Sequence, residues 1–147
     1  MKLAISNIAW DRHDDLTIFE MLRKYGVQGV EIAPTKIWPS WKGASYENAR
    51  KYRKYMQDEG FQISSMQAIL FEKPELHIFN LDSHAEFFRH IQLTAELAEG
   101  FGSSVIVFGA PNNRRRWHLG FNESIDIASE FFYKAGEICS KHNCCTV

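Results

Sequence analysis

Tyr25-Gly26-Val27-Gln28-Gly29-Val30-Glu31-Ile32-Ala33-Pro34 is the stretch that decides the fold. It reads as a helix end, a glycine stop, a short buried strand and the start of a loop. Gly26 suits the left-handed residue that closes a helix. Val27 to Ala33, short and largely apolar, reads as a buried strand. A carboxylate, Glu31, sits in its middle. The loop beyond it carries Trp38 and Trp41.

The same plan recurs on both sides. Lys2 to Ser6 reads as strand one, followed by a loop with Trp10. Asp14 or Asp15 can cap a helix with Ile18, Met21, Leu22 and Tyr25 on its inner stripe. After strand two, Ser45 opens a helix to about Glu59, with Ala49, Tyr52, Tyr55 and Met56 inward and Gly60 as its stop. Phe61 to Ala68 reads as strand three. Ser83-His84-Ala85-Glu86 has capping-box spacing and predicts a helix to about Glu99, ended by Gly100 and Gly102. Its buried candidates are Phe87, Phe88, Ile91, Ala95 and Ala98. Ser104 to Ala110 reads as strand four. Asn122 caps a last helix with Ile125, Ala128, Phe131, Phe132, Ala135 and Ile138 inward. Asn143 closes it, and Cys144 to Val147 begins a fifth strand.

The unit recurs at roughly 35–42 residues. Short apolar strands alternating with longer amphipathic helices predict parallel strands with helices packed outside them. No loop after a strand holds G-x-G-x-x-G or a Walker lysine, which weakens an open nucleotide-binding sheet. A (β/α)8 barrel needs eight units, in about 200 residues or more. The 147 residues supply about four and a half. The expectation is therefore one α/β domain, residues 1–147, built as a half or truncated TIM barrel. It would be a fragment, a shortened gene, or a half that completes itself with a second copy.

Composition narrows the function. Hydrophobic content is 45% and charged content 24%, ordinary for a soluble globular protein. A net charge of −1 gives no field favouring nucleic acid or an anionic membrane. No apolar run approaches the roughly 18 residues of a membrane span, and the N-terminus does not read as a signal peptide. Cys139, Cys144 and Cys145 are odd in number and clustered, a poor disulfide framework, which points to a reducing cytoplasm. Small core packing suits them better than a zinc site.

In parallel α/β folds, ligands bind beyond the carboxyl ends of the strands. Trp10, Trp38, Trp41 and Trp117 all fall in loops after strands. Such indoles either pack the barrel rim or offer flat apolar faces on which sugar rings stack. Alternation places Gly29, Glu31 and Ala33 on one face of strand two, and Val30 and Ile32 on the other. The branched pair should meet the helices, so Glu31 points into the barrel. A buried carboxylate is costly unless paired or hydrogen-bonded. Glu31 is thus either a structural anchor or a group that meets substrate. Ser65 and Gln67 share a face of strand three, and Gln67 can bond a hydroxyl or satisfy loop backbone. Arg114-Arg115-Arg116, followed by Trp117 and His118, can hold a phosphate or carboxylate in bidentate fashion, or can be a solvated loop. The six histidines show no metal spacing, so no metal ligand is assigned.

Gly29-Val30-Glu31-Ile32-Ala33-Pro34, Ser65-Met66-Gln67-Ala68-Ile69-Leu70-Phe71 and Val107-Phe108-Gly109-Ala110-Pro111 with Asn113-Arg114 resemble the sugar phosphate isomerase/epimerase family of xylose isomerase-like TIM barrels. The resemblance covers the whole chain and the N-terminal half of the family's barrel. It implies an enzyme that uses a divalent metal (Mn, Mg, Co or Zn) to move a proton or hydride beside the carbonyl of a small sugar or sugar phosphate. The family's metal ligands and acid/base carboxylates come largely from strands five to eight, so catalysis by these residues alone is not expected. What carries over is the first-half rim: Glu31 as the catalytic candidate, and Gln67, Trp10, Trp38, Arg114 and His118 as substrate contacts. The rival expectation is a non-catalytic half-barrel that forms a homodimer through exposed strand edges and binds carbohydrate or a protein partner.

Overall fold

The computed structural model describes residues 2–147. Its five strands are β1 (Ala4–Ser6), β2 (Gly29–Ile32), β3 (Gln62–Met66), β4 (Val105–Ile106) and β5 (Cys145–Thr146). All neighbours pair in parallel, in the order β1-β2-β3-β4-β5. The order never reverses, so no topological switch point exists, and a flavodoxin-like sheet is excluded. Stepping one place in one direction at each crossover is the winding of a TIM barrel.

Five helices connect the strands: α1 (Asp15–Lys24), α2 (Pro34–Ile37), α3 (Tyr46–Asp58), α4 (His84–Phe101) and α5 (Phe121–Ser140). The core lies between the sheet's outer face and these helices. Val30, Ile32, Met66 and Ile106 have no exposed surface, and Phe87, Ile91, Ala95, Ala98 and Phe131 pack with them. No helix among the described residues is long and apolar enough to cross a membrane.

Several local expectations hold. The Ser45 hydroxyl accepts from Asn48 N–H and caps α3. Gly26, Gly60 and Gly102 follow their helices with φ of +69°, +90° and +70°, where a side chain would be strained. Cys139 and Cys144 are buried thiols, whereas Cys145, expected to pack with them, is exposed.

Others are corrected. In α1, Phe19 and Leu22 face the core, while Met21 and Tyr25 are exposed. Phe19 packs on Trp10 and Phe61, with ring centroids 6.4 and 5.1 Å away, and this large aromatic fixes how the helix is rolled. Ser83 makes no cap for α4. Its hydroxyl donates to the Asn80 carbonyl at 2.8 Å and accepts from His77 N–H, closing the preceding turn instead. Gly100 is no helix stop: it lies inside α4. A Cβ there would come within 2.7 Å of the Tyr46 carbonyl and 2.8 Å of the Ala49 Cβ, so the glycine lets α3 and α4 touch. Gly120, not Asn122, is the residue before α5, and Ile125 on that helix is exposed. The loop after β2 is not irregular throughout, since Pro34 begins the one-turn helix α2.

Candidate functional site

The strand alternation delivers Glu31 to the inner face. Val30 and Ile32 are buried against the helices, while Glu31 on the opposite side is half-buried. Between Val30↔Ile63 and Ile32↔Met66, two steps along β2 match three along β3. That extra residue is a β-bulge, a device that re-aims side chains at functional rims. Next to it, the Ser65 hydroxyl donates to Glu31 Oε1 at 2.8 Å. The Gln67 side-chain amide donates to Glu31 Oε2 and to the Ser6 hydroxyl. Three strands thus contribute to one polar wall: Ser6 from β1, Glu31 from β2, and Ser65 with Gln67 from β3 and its end. Its donors to the carboxylate are all neutral. Among the described residues no Lys, Arg or His lies within salt-bridge distance of Glu31.

Gln67 also lines a cleft of about 360 Å³, together with Leu70, Phe71, Val107, Gly109 and Asn113. The cleft lies between the loops after β3 and β4, and those loops are tied to each other. Asn113 Nδ2 donates to the carbonyls of Lys73 at 2.8 Å and Leu76 at 2.6 Å, and its own carbonyl accepts from Ile78 N–H. The first loop is tied to the helices as well. His90 Nε2 meets the Ile69 carbonyl at 2.5 Å, and Trp41 Nε1 donates to the Phe71 carbonyl at 3.0 Å. Trp41 and His90 pack edge to face, 4.6 Å apart. Burial pushes the His90 pKa below its ordinary value.

Among the described residues, five of the six non-glycine residues with positive φ lie in loops after strands: Ser40, Trp41, Ala68, Glu72 and Trp117. Each left-handed residue of this kind costs about 1–2 kcal/mol, and such strain gathers at functional faces. Ala68 is the residue directly after Gln67.

Of the residues singled out in the sequence, Glu31 and Gln67 are brought together. Trp10 is buried against α1, 8% exposed and edge-on to Phe19, with Nε1 donating to Asp15 at 2.7 Å. Trp38 stacks on Phe101 with centroids 5.8 Å apart. Neither lines the cleft of Gln67. Trp117 is 61% exposed and stacks on buried His77 at 4.0 Å. Arg114 borders a second hollow of about 760 Å³, whose lining includes Val107, Phe108, Gly109, Phe132 and Val147. His118 is exposed on the same loop. Sequence reading missed Ser6 and the clamping role of Asn113. The alternation in β1 marks Ser6 as facing the same way as Ala4, the one signal that points to it.

Among the described residues, no group of three or more His, Cys, Asp or Glu is placed to hold a metal ion. The one inward carboxylate of the wall has only neutral Ser65 and Gln67 beside it, and no second carboxylate, imidazole or thiolate to share a cation. These residues do not fit a divalent metal site of their own.

The unreversed parallel order and a polar rim at the strands' carboxyl ends define half of a TIM barrel. Solved structures agree. The chain matches, over 99% of its length, 49% of a sugar phosphate isomerase/epimerase from Parabacteroides distasonis, with a TM-score of 0.66 and 18% identity. All of it matches 50% of the IOLI protein with a bound zinc atom, with a TM-score of 0.71 and 15% identity. It also matches, over 99% of its length, 51% of D-psicose 3-epimerase solved in the presence of D-fructose, with a TM-score of 0.69 and 12% identity. The chain spans about half the length of these structures. No family model and no curated protein sequence matches it. The resemblance read from the sequence to xylose isomerase-like barrels is therefore borne out in the fold.

Proposed function

We propose that the chain is the N-terminal half of the barrel of a sugar or sugar-phosphate isomerase or epimerase, and that it supplies the wall that binds substrate hydroxyls. The observation that carries this reading is the Glu31 carboxylate, held in the barrel mouth by Ser65 and Gln67 with no cationic partner among the described residues. A carboxylate so placed is a strong acceptor for sugar hydroxyls, and the Gln67 amide adds a donor beside it. The isomerases and epimerases among the solved structures of this fold support the reaction class.

In that reaction a base removes the proton from the carbon next to the carbonyl. The proton returns to the other face of the same carbon, or to the neighbouring carbon. Glu31 and Gln67 fix the hydroxyls that flank this carbon, and Trp117 covers the rim. The metal that the resemblance implies takes no step here, because these residues do not fit one.

The test is proton exchange in deuterated water, followed by NMR, on the protein that carries this chain. D-Fructose and fructose 6-phosphate serve as substrates, with Mn, Mg, Co or Zn added in turn. Deuterium should enter beside the carbonyl, and Glu31→Gln should slow its entry by about 100-fold. No entry with either sugar in any metal overturns the assignment.

One observation favours a second reading. The hollow beside β5 is lined by Phe108, Phe132 and Val147, and Leu3 and Ile5 on the β1 side are exposed. Apolar edges of this kind suit self-association. A discrete dimer by light scattering that binds fructose without exchanging its protons is the result that this reading expects.

A further inference from the structure

The chain turns sharply just beyond Gln67. Ala68 holds φ of +54°, a left-handed value that costs an alanine energy. The turn runs from Ala68 to Phe71, whose N–H bonds the Ala68 carbonyl at 3.0 Å. Before the turn, the Gln67 N–H bonds the Ile32 carbonyl at 2.8 Å, so β2 fixes the backbone up to that point. The strained turn itself is fixed by two side chains from other elements. His90 on α4 meets the Ile69 carbonyl, and Trp41, after β2, donates its indole N–H to the Phe71 carbonyl. Both residues are buried, and their rings pack edge to face. Trp41 is left-handed too, with φ of +62° directly after Ser40 at +54°. The bond from Trp41 to Phe71 thus joins the strained segment after β2 to the strained segment after β3. Leu70 and Phe71, inside the clamped turn, line the same cleft as Gln67, and Trp41 does not.

We propose that Trp41 is a positioning residue for Gln67: it holds Ala68 in the left-handed region from behind the cleft, and so aims the Gln67 amide at Glu31 and Ser6. An alanine freed from such a clamp relaxes to negative φ, where its side chain no longer crowds the following carbonyl. That change rotates the peptide after Gln67 and carries the Gln67 side chain off its two acceptors. His90 holds the same turn through Ile69 and acts in the same direction. The functional meaning rests on the reading of Glu31 and Gln67 as the hydroxyl wall. The positioning itself stands on the backbone and its bonds, and is measured without sugar.

The test is solvent exchange of the two Gln67 Nε2 protons, followed by NMR. Trp41→Phe keeps a ring and removes the N–H. It should speed that exchange about tenfold, because the protons lose their acceptors. Trp38→Phe, which trims an indole stacked on Phe101 and not bonded to the turn, should leave the exchange unchanged. Ala68→Gly tolerates positive φ without strain, and added to Trp41→Phe it should restore part of the protection. Unchanged exchange in Trp41→Phe, with only a lower urea midpoint, overturns the inference and leaves Trp41 as packing alone. Equal acceleration by Trp38→Phe overturns it as well, as does the absence of any rescue by Ala68→Gly. His90→Leu removes the other donor and should also speed the exchange. It decides the matter where Trp41→Phe does not fold, and unchanged exchange there overturns the inference. D-Fructose separates this inference from the wall. Faster Gln67 exchange in Trp41→Phe, with no saturable fructose binding to the wild type, upholds the positioning and overturns the wall.

Discussion

The Ser65 hydroxyl donates to Glu31 Oε1 across 2.8 Å, from the bulged strand β3 to the carboxylate of β2. This bond and the one from Gln67 hold the only inward carboxylate of the wall in a fixed position. Fixed acceptors bind hydroxyls with less ordering cost than mobile ones. Ser65→Ala removes one donor from a half-buried carboxylate. It should cost about 1 kcal/mol of stability, read as a lower urea midpoint with an unchanged slope.

Asn113 joins the two loops that form the cleft. Its side chain satisfies the carbonyls of Lys73 and Leu76, and its backbone receives Ile78 N–H. Asn113→Ala leaves the buried Leu76 carbonyl without this partner and should cost about 2 kcal/mol. Amide exchange at Ile78 should accelerate more than exchange in β2, because the loop opens before the sheet does.

Much of this was legible in the sequence because it is local. A period of two sends Val30 and Ile32 outward and Glu31 inward, whatever lies elsewhere in the chain. Ser45 caps the helix that follows it, and Gly26 and Gly60 stop helices, by backbone geometry alone. What was not legible depends on partners distant in sequence. The roll of α1 is set by Phe19 meeting Phe61. Ser83 has capping spacing, but the carbonyl of Asn80 claims its hydroxyl. The sequence left Trp41 as either rim packing or an open platform, and the bond of its indole N–H to the Phe71 carbonyl, 30 residues away, makes it packing. Asn113 showed no signal of its clamping role, because both its acceptors are backbone atoms of another loop.

Gly100 marks a contact that a sequence pattern cannot show. Alanine is the better helix former by about 1 kcal/mol. Against that, the new Cβ would meet the Tyr46 carbonyl and the Ala49 Cβ, neither of which is the flexible end of a side chain. Overpacking of this kind costs about 1–3 kcal/mol, so the steric effect should win. Gly100→Ala is expected to lower Tm, and Gly136→Ala on α5, where a Cβ meets nothing within 4 Å, should not.

His90 and His77 are buried, and burial lowers both pKa values from the ordinary 6.5. The unfolded chain therefore binds protons at a pH where the folded chain does not. Stability from these residues is complete above pH 6.5 and is lost as the pH falls from there through the folded-state values. Urea midpoints should hold between pH 8 and 7 and fall from pH 6.5 to 5. His90→Gln keeps an N–H donor for Ile69 without the titration, and its profile should be flatter in that window.

The central claim is that Gln67 and Glu31 form the wall that meets substrate hydroxyls. The most direct measurement follows the Gln67 side-chain amide resonances by NMR while D-fructose is titrated into the protein. The account expects the two Nε2 protons to shift in a saturable way, together with the backbone amides of Ser6 and Ser65, and expects Glu31→Gln to abolish the shifts. Saturable binding that leaves the Gln67 side chain unmoved would contradict it.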